Sequence, residues 1–174
     1  ARGDALRRMI FDPLRDRLGD ARRLVLALDG VLHTIPLDAL PDGACAQLRL
    51  RIEHCPESVV CGRTAAVRVE VENDSSWEIG SFPPFPVQLS YRWLTDEGHE
   101  VAGPEALRTA LKPALRPHER ASYALTIAAP AEPGRYRLRM TLVQEFVRWL
   151  DGLPSPLSAD ATLVVVSSLS YPPP

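Results

Sequence analysis

Three cysteines and four histidines are the first residues to test for chemistry. Nucleophilic catalysis needs a thiol or hydroxyl, a base to activate it and a third group to orient the base. Cys45, Cys55 and Cys61 supply thiols, and His33 and His54 could supply bases. Nothing in their spacing brings them together. His54 and Cys55 are neighbours on an expected strand, so their side chains leave opposite faces. A cysteine on or beside a strand is more simply a small core residue. The three thiols follow no zinc-ligand spacing, so no metal and no cofactor is expected. Cys55 and Cys61 could face each other across a turn as a disulfide. Without an export signal, reduced thiols and a cytoplasmic chain are the expectation.

Carboxylates offer little more. Glu70 and Glu72 share one face of a strand and could form a paired site. They alternate with Val69 and Val71, as a solvated face does. Arg49, Arg51, Arg137 and Arg139 are their expected cross-strand partners. Asp96-Glu97-Gly98 reads as a hairpin turn, because the other oxygen ligands of a calcium loop are missing. No glycine loop for phosphate and no aromatic sheet for RNA is present. No residue is therefore assigned a catalytic role, and the chain is not expected to be an enzyme by itself.

Aromatic residues carry the remaining chemistry. A sugar site needs flat aromatic faces with a few polar groups beside them, since a pyranose has an apolar face and a hydroxyl rim. Tyr91, Trp93, Tyr123 and Tyr136 fall on inward-facing phases and are expected in the core. Trp77, Phe82, Phe85 and Trp149 fall in loops or at a strand end. With Asn73, Glu145 and Arg148 as polar neighbours, they form the expected ligand-binding set. The competing reading is that the Trp77 loop folds over an open end of the domain.

These residues need a scaffold, and the chain changes character near residues 41–47. Before that point, Leu6, Met9, Ile10, Leu14 and Leu18 recur at helical spacing, with Pro13 as a kink and Gly19 as the stop. Residues 24–28 read as a buried strand, and Asp29-Gly30 as a hairpin turn into residues 31–34. After residue 46 the period becomes two. Leu48, Leu50 and Ile52 alternate with charged residues. So do Val67, Val69 and Val71, and the pattern repeats at 87–93, 122–127 and 136–142. Residues 162–166 form a last, more uniformly apolar strand, and 107–111 a weaker one. Six clear strands with one polar face each, set between turns, describe an antiparallel β-sandwich.

Composition agrees. The 174 residues include 17 prolines against 10 glycines. Proline limits long helices and favours short strands between rigid turns. A net charge of -2 disfavours nucleic acid and anionic membranes as partners, since both need a positive field. No apolar run reaches the ~20 residues of a membrane span. Arginine supplies every one of the 20 basic residues except Lys112. That bias reads as the usage of a GC-rich genome and is not evidence of an anionic ligand.

Two resemblances follow. Pro13-Leu-Arg-Asp-Arg-Leu18 and Leu24-Val-Leu-Ala-Leu-Asp-Gly-Val-Leu-His-Thr-Ile-Pro-Leu-Asp-Ala-Leu40 resemble part of a CHAT domain, the caspase-like protease domain of bacterial proteins. The resemblance covers about residues 5–43 and stops short of that family's catalytic His and Cys, so no catalytic role passes to His33. Residues 47–167 resemble an Ig-like β-sandwich module of bacterial multidomain proteins. Val71-Glu-Asn-Asp-Ser-Ser-Trp77, Pro86-Val-Gln-Leu-Ser-Tyr-Arg-Trp93, Pro133-Gly-Arg-Tyr-Arg-Leu138 and Leu142-Val-Gln-Glu145 with Trp149 carry it. The glycine usual after that last motif is Phe146 here, and the usual aromatic after Trp149 is Leu150.

The expected architecture is mainly β. An Ig-like antiparallel sandwich at residues 45–167 carries a short N-terminal α/β appendage at 1–44 (helix plus hairpin) and a Pro-rich tail at 168–174. The expected function is a non-catalytic accessory module that binds a glycan or another protein domain. The alternative is a fragment of a CHAT-type cysteine protease whose catalytic half lies elsewhere.

Overall fold

The computed structural model describes residues 47–101 and 104–167, all within the unit that spans Asp38–Pro174. The expected N-terminal helix and hairpin, Cys45, His33 and the Pro-rich tail lie outside the described residues. Nine strands follow in order: β1 (Leu48–His54), β2 (Ser58–Val60), β3 (Thr64–Asn73), β4 (Val87–Leu94) and β5 (Thr109–Ala110), then β6 (Glu119–Ala128), β7 (Gly134–Gln144), β8 (Arg148–Trp149) and β9 (Ser158–Val166). They form two sheets. One has the order β1-β3-β6, and the other β2-β9-β7-β4-β5 with β8 added beside β7. The first three strands split between the sheets, and the first-sheet trio stands opposite the β9-β7-β4 ladder. That is the strand arrangement of an Ig-like sandwich. The fold is mainly β with antiparallel sheets, as the alternation predicts. One pair departs from this: β2 runs parallel to β9, with Val59 opposite Val165.

Alternation in sequence becomes alternation in burial. Val67, Val69 and Val71 of β3, Leu89, Tyr91 and Trp93 of β4, and Leu125 and Ile127 of β6 are all buried. So are Leu138, Met140 and Leu142 of β7, and together these side chains form one core between the sheets. Trp93 takes the central position, edge-on to Tyr91 at 6.4 Å and to Tyr136 at 6.0 Å between ring centroids. Its indole N–H donates to Ala128 O at 2.8 Å, so the buried ring leaves no polar atom unpaired.

Some details differ from the sequence expectation. Arg49 and Arg51 do pair with Glu72 and Glu70 across β1 and β3. Arg137 and Arg139 do not, because β7 lies in the other sheet, and both reach Asp160 of β9. The last strand is not uniformly apolar in its setting. Leu163 and Val165 are buried and Val164 points out, since β9 borders the core on one side alone. The weaker strand shrinks to the two residues of β5.

Candidate functional site

The aromatic candidates gather around the 74–86 loop and the short turn after β7. Both belong to the same end of the sandwich, because Val87 at the start of β4 pairs with Gln144 at the end of β7. The two segments are tied by backbone. Glu145 N–H donates to Pro86 O at 3.0 Å, and Gln144 Nε2 to Phe85 O at 3.4 Å.

The loop is built around Asn73. This side chain is wholly buried. Its amide nitrogen donates to the carbonyls of Trp77 (2.7 Å), Leu115 (3.3 Å) and Arg116 (3.0 Å). Its oxygen accepts from the Ser75 N–H (3.1 Å) and Ser75 Oγ (2.6 Å). Ser75 Oγ in turn accepts from the Trp77 N–H at 3.1 Å. An Asx-type side chain thus replaces the backbone bonds that the loop lacks. Two residues on, Ile79 pairs with Leu115 and is fully buried. Ile79 is therefore the residue that closes the end of the sandwich.

Trp77 does something else. Both of its backbone polar groups are bonded, yet the residue is 55% exposed. Phe82 is 51% exposed and sits against Gly80, where a Cβ would lie 2.6 Å from Phe82 Cε2 and 2.8 Å from Ala114 Cβ. Phe85 is half-buried beside them in sequence. Phe146 is 88% exposed at the tip of the β7–β8 turn, which is closed by Val147 N–H to Gln144 O at 3.1 Å. Its φ of 63° is the left-handed conformation that glycine adopts without penalty. A bulky residue held there costs about 1–2 kcal/mol, and such strain is found where function demands it.

Trp149 lies in a different setting. Arg92 stands over its ring at 3.9 Å and Arg108 at 4.6 Å, both in cation–π range. Arg92 also grips Glu100 through two contacts of 2.8 and 2.9 Å and Asp151 at 3.0 Å. Arg108 binds Glu145 at 2.7 Å, Ser90 Oγ at 2.7 Å and Ala106 O at 2.8 Å. A cleft of about 480 Å³ lies here, lined by Trp149, Arg92, Arg108, Glu100 and Val101 among others. Within its walls Arg92 is bonded to Glu100, and Arg92 and Arg108 already stand over the Trp149 ring.

The expected set therefore divides. Trp77 and Phe82 are exposed aromatics, Phe85 is half-buried, and Phe146, exposed at the β7–β8 turn, was not among the expected contacts. Its signal was visible: an aromatic stands where the resembling family has glycine. Asn73 spends its side-chain amide on hydrogen bonds within the protein, and one carboxylate oxygen of Glu145 accepts from Arg108. Arg148 and Trp149 form β8, paired with Gln144 and Val143. Arg92 and Arg108, which cover Trp149, were not foreseen, because residues far apart in sequence must fold together to stack.

Two of the three thiols lie among the described residues. Cys55 and Cys61 are unbridged and packed against the core. Burial pushes the Cys55 thiol up to about 11, so it is protonated at neutral pH. Among the described residues no cluster of three or more His, Cys, Asp or Glu could hold a metal ion, and no helix is long and apolar enough to cross a membrane.

Residues 1–75 match the family model of the CHAT domain, a range that extends through β1, β2 and β3. No curated protein matches the chain. Among solved structures, the described sandwich is similar to the CARDB domain of PF1109 from Pyrococcus furiosus, at 19% identity and TM-score 0.42, covering 69% of this chain and 94% of that one. A β-glucosidase from Listeria innocua aligns at 15% identity and TM-score 0.41, over 70% of this chain and 16% of the enzyme. The alkylpurine DNA glycosylase AlkC from Pseudomonas fluorescens aligns at 11% identity and TM-score 0.43, over 68% and 30%.

Proposed function

We propose that the sandwich is a non-catalytic recognition module that binds a partner protein through the loop end bearing Trp77, Phe82 and Phe146. The observation that carries this reading is Trp77, more than half exposed on a backbone whose N–H and C=O are both bonded. The loop is ordered by a buried polar network that holds the Trp77 backbone. Rigid, exposed aromatics are the side chains that dominate protein interfaces, because they bury large area at little entropic cost. A glycan site would add planar polar groups beside the ring. Here two of the expected polar contacts, Asn73 and Glu145, are bonded within the protein.

The test presents the wild-type chain and a Trp77→Ala/Phe82→Ala variant to an extract of the source cells and to a glycan array. A protein retained by the wild type and lost with the variant supports the reading. Retention that the variant leaves unchanged, or a glycan bound in place of any protein, overturns it.

The match of residues 1–75 to the CHAT domain favours a second reading, a fragment of a cysteine protease completed elsewhere. It predicts that a thiol-directed activity probe labels the folded chain faster than the unfolded one. The raised Cys55 thiol predicts the opposite for that residue.

A further inference from the structure

We propose that strand β6 is an assembly edge through which two copies of this chain join their three-stranded sheets into one. Among the described residues, this sheet ends on β1 and β6, and the other sheet ends on β2 and β5. Three of these ends carry features that disfavour strand addition. β2 has three residues and β5 two. β1 carries Arg49, Arg51 and Glu53, shifts register between Ile52 and His54, and is followed by Pro56. β6 differs. It runs ten residues, holds an unbroken register with β3 from Ala128 to Glu119, and contains no proline.

Its outward backbone groups can be identified. Ala129 N–H donates to Arg63 O at 2.9 Å, which places the odd-numbered residues of β6 on the β3 side of an antiparallel ladder. The N–H and C=O groups of Arg120, Ser122, Ala124, Thr126 and Ala128 therefore point away from β3. Ala128 confirms the phase, because side chains take both of its groups: it donates to Tyr91 Oη and accepts from Trp93 Nε1, each at 2.8 Å. No bond to the outward groups of Arg120, Ser122, Ala124 or Thr126 occurs among the described residues.

A second copy matches this edge. In antiparallel pairing about a twofold axis, Ser122 stands opposite the partner's Ala124 and Arg120 opposite the partner's Thr126. That register uses all four open residues of each copy and leaves none over. Each pair exchanges two backbone bonds. Charge permits it as well, since Arg120 faces threonine rather than its own copy, and Ser122 and Ala124 are small and uncharged. Isologous contacts of this kind are the commonest in homodimers.

The test measures the mass of the full chain by light scattering from micromolar to millimolar concentration. The wild type is expected to dimerise. Ala124→Pro removes an outward donor without touching the bonds to β3, and should weaken association by on the order of tenfold or more. Ser122→Lys adds a strand-edge charge and should act in the same direction if the proline variant fails to fold. Amide hydrogen exchange supplies the register: Ser122, Ala124 and Thr126 should become protected as concentration rises. A monomer at every concentration, a dimer indifferent to both substitutions, or protection of these amides in the monomer would each overturn the proposal.

Discussion

Trp77 and Trp149 both lie outside the core, and the fold treats them oppositely. Trp149 is covered by two guanidinium groups that are themselves held by Glu100, Asp151 and Glu145. Trp77 has both backbone polar groups bonded and is more than half exposed. The difference teaches that aromatic type and loop position do not mark a contact residue. What marks it is apolar surface left open where the surrounding structure is rigid enough to cover it. Trp149 is a strut, and Trp77 is a presented group.

Substitutions should separate the two roles. The largest effect is expected at the anchor. Asn73→Ala leaves the buried Ser75 N–H without its acceptor and takes one donor from each of the carbonyls of Trp77, Leu115 and Arg116, and should lower stability by about 3 kcal/mol in denaturant titration. It should also release the Trp77 loop, seen as faster amide exchange over residues 74–80. Trp149→Ala comes next. Loss of a half-buried ring and two cation contacts should destabilise by about 2 kcal/mol. If it destabilised less than Trp77→Ala, the assignment of strut and presented group would be reversed.

Phe146→Gly should go the other way. It relieves the left-handed backbone and is expected to raise stability by about 1 kcal/mol while weakening partner binding. A gain in stability with binding intact would remove Phe146 from the contact surface. The smallest stability effect belongs to Trp77→Ala, within about 0.5 kcal/mol of the parent, since the ring packs little.

The sandwich was legible because burial writes a period of two into each strand, as in Val67, Val69 and Val71. Placement of the loop end was partly legible. Trp77, Phe82 and Phe85 stood out as aromatics among prolines. Their environment did not, because it depends on distant partners. Asn73 looks like any turn residue until Leu115 and Arg116 are brought beside it. Arg92 and Arg108 look like solvated strand positions until β8 delivers Trp149 beneath their guanidinium groups. The parallel β2–β9 pair was hidden for a related reason: three residues, Ser58-Val-Val60, are too short to show a period. Phe146 was present as an anomaly of residue type, and its backbone angle supplies the reason it matters.

One measurement tests the recognition reading most directly. Trp77→Ala and Trp149→Ala chains, each confirmed folded, are compared for retention of the protein that the wild type captures from the source-cell extract. The account predicts that Trp77→Ala loses the partner at unchanged stability, and that Trp149→Ala, though less stable, keeps it. Retention by Trp77→Ala with loss in Trp149→Ala would contradict it and move the contact surface to the Arg92–Trp149–Arg108 cleft.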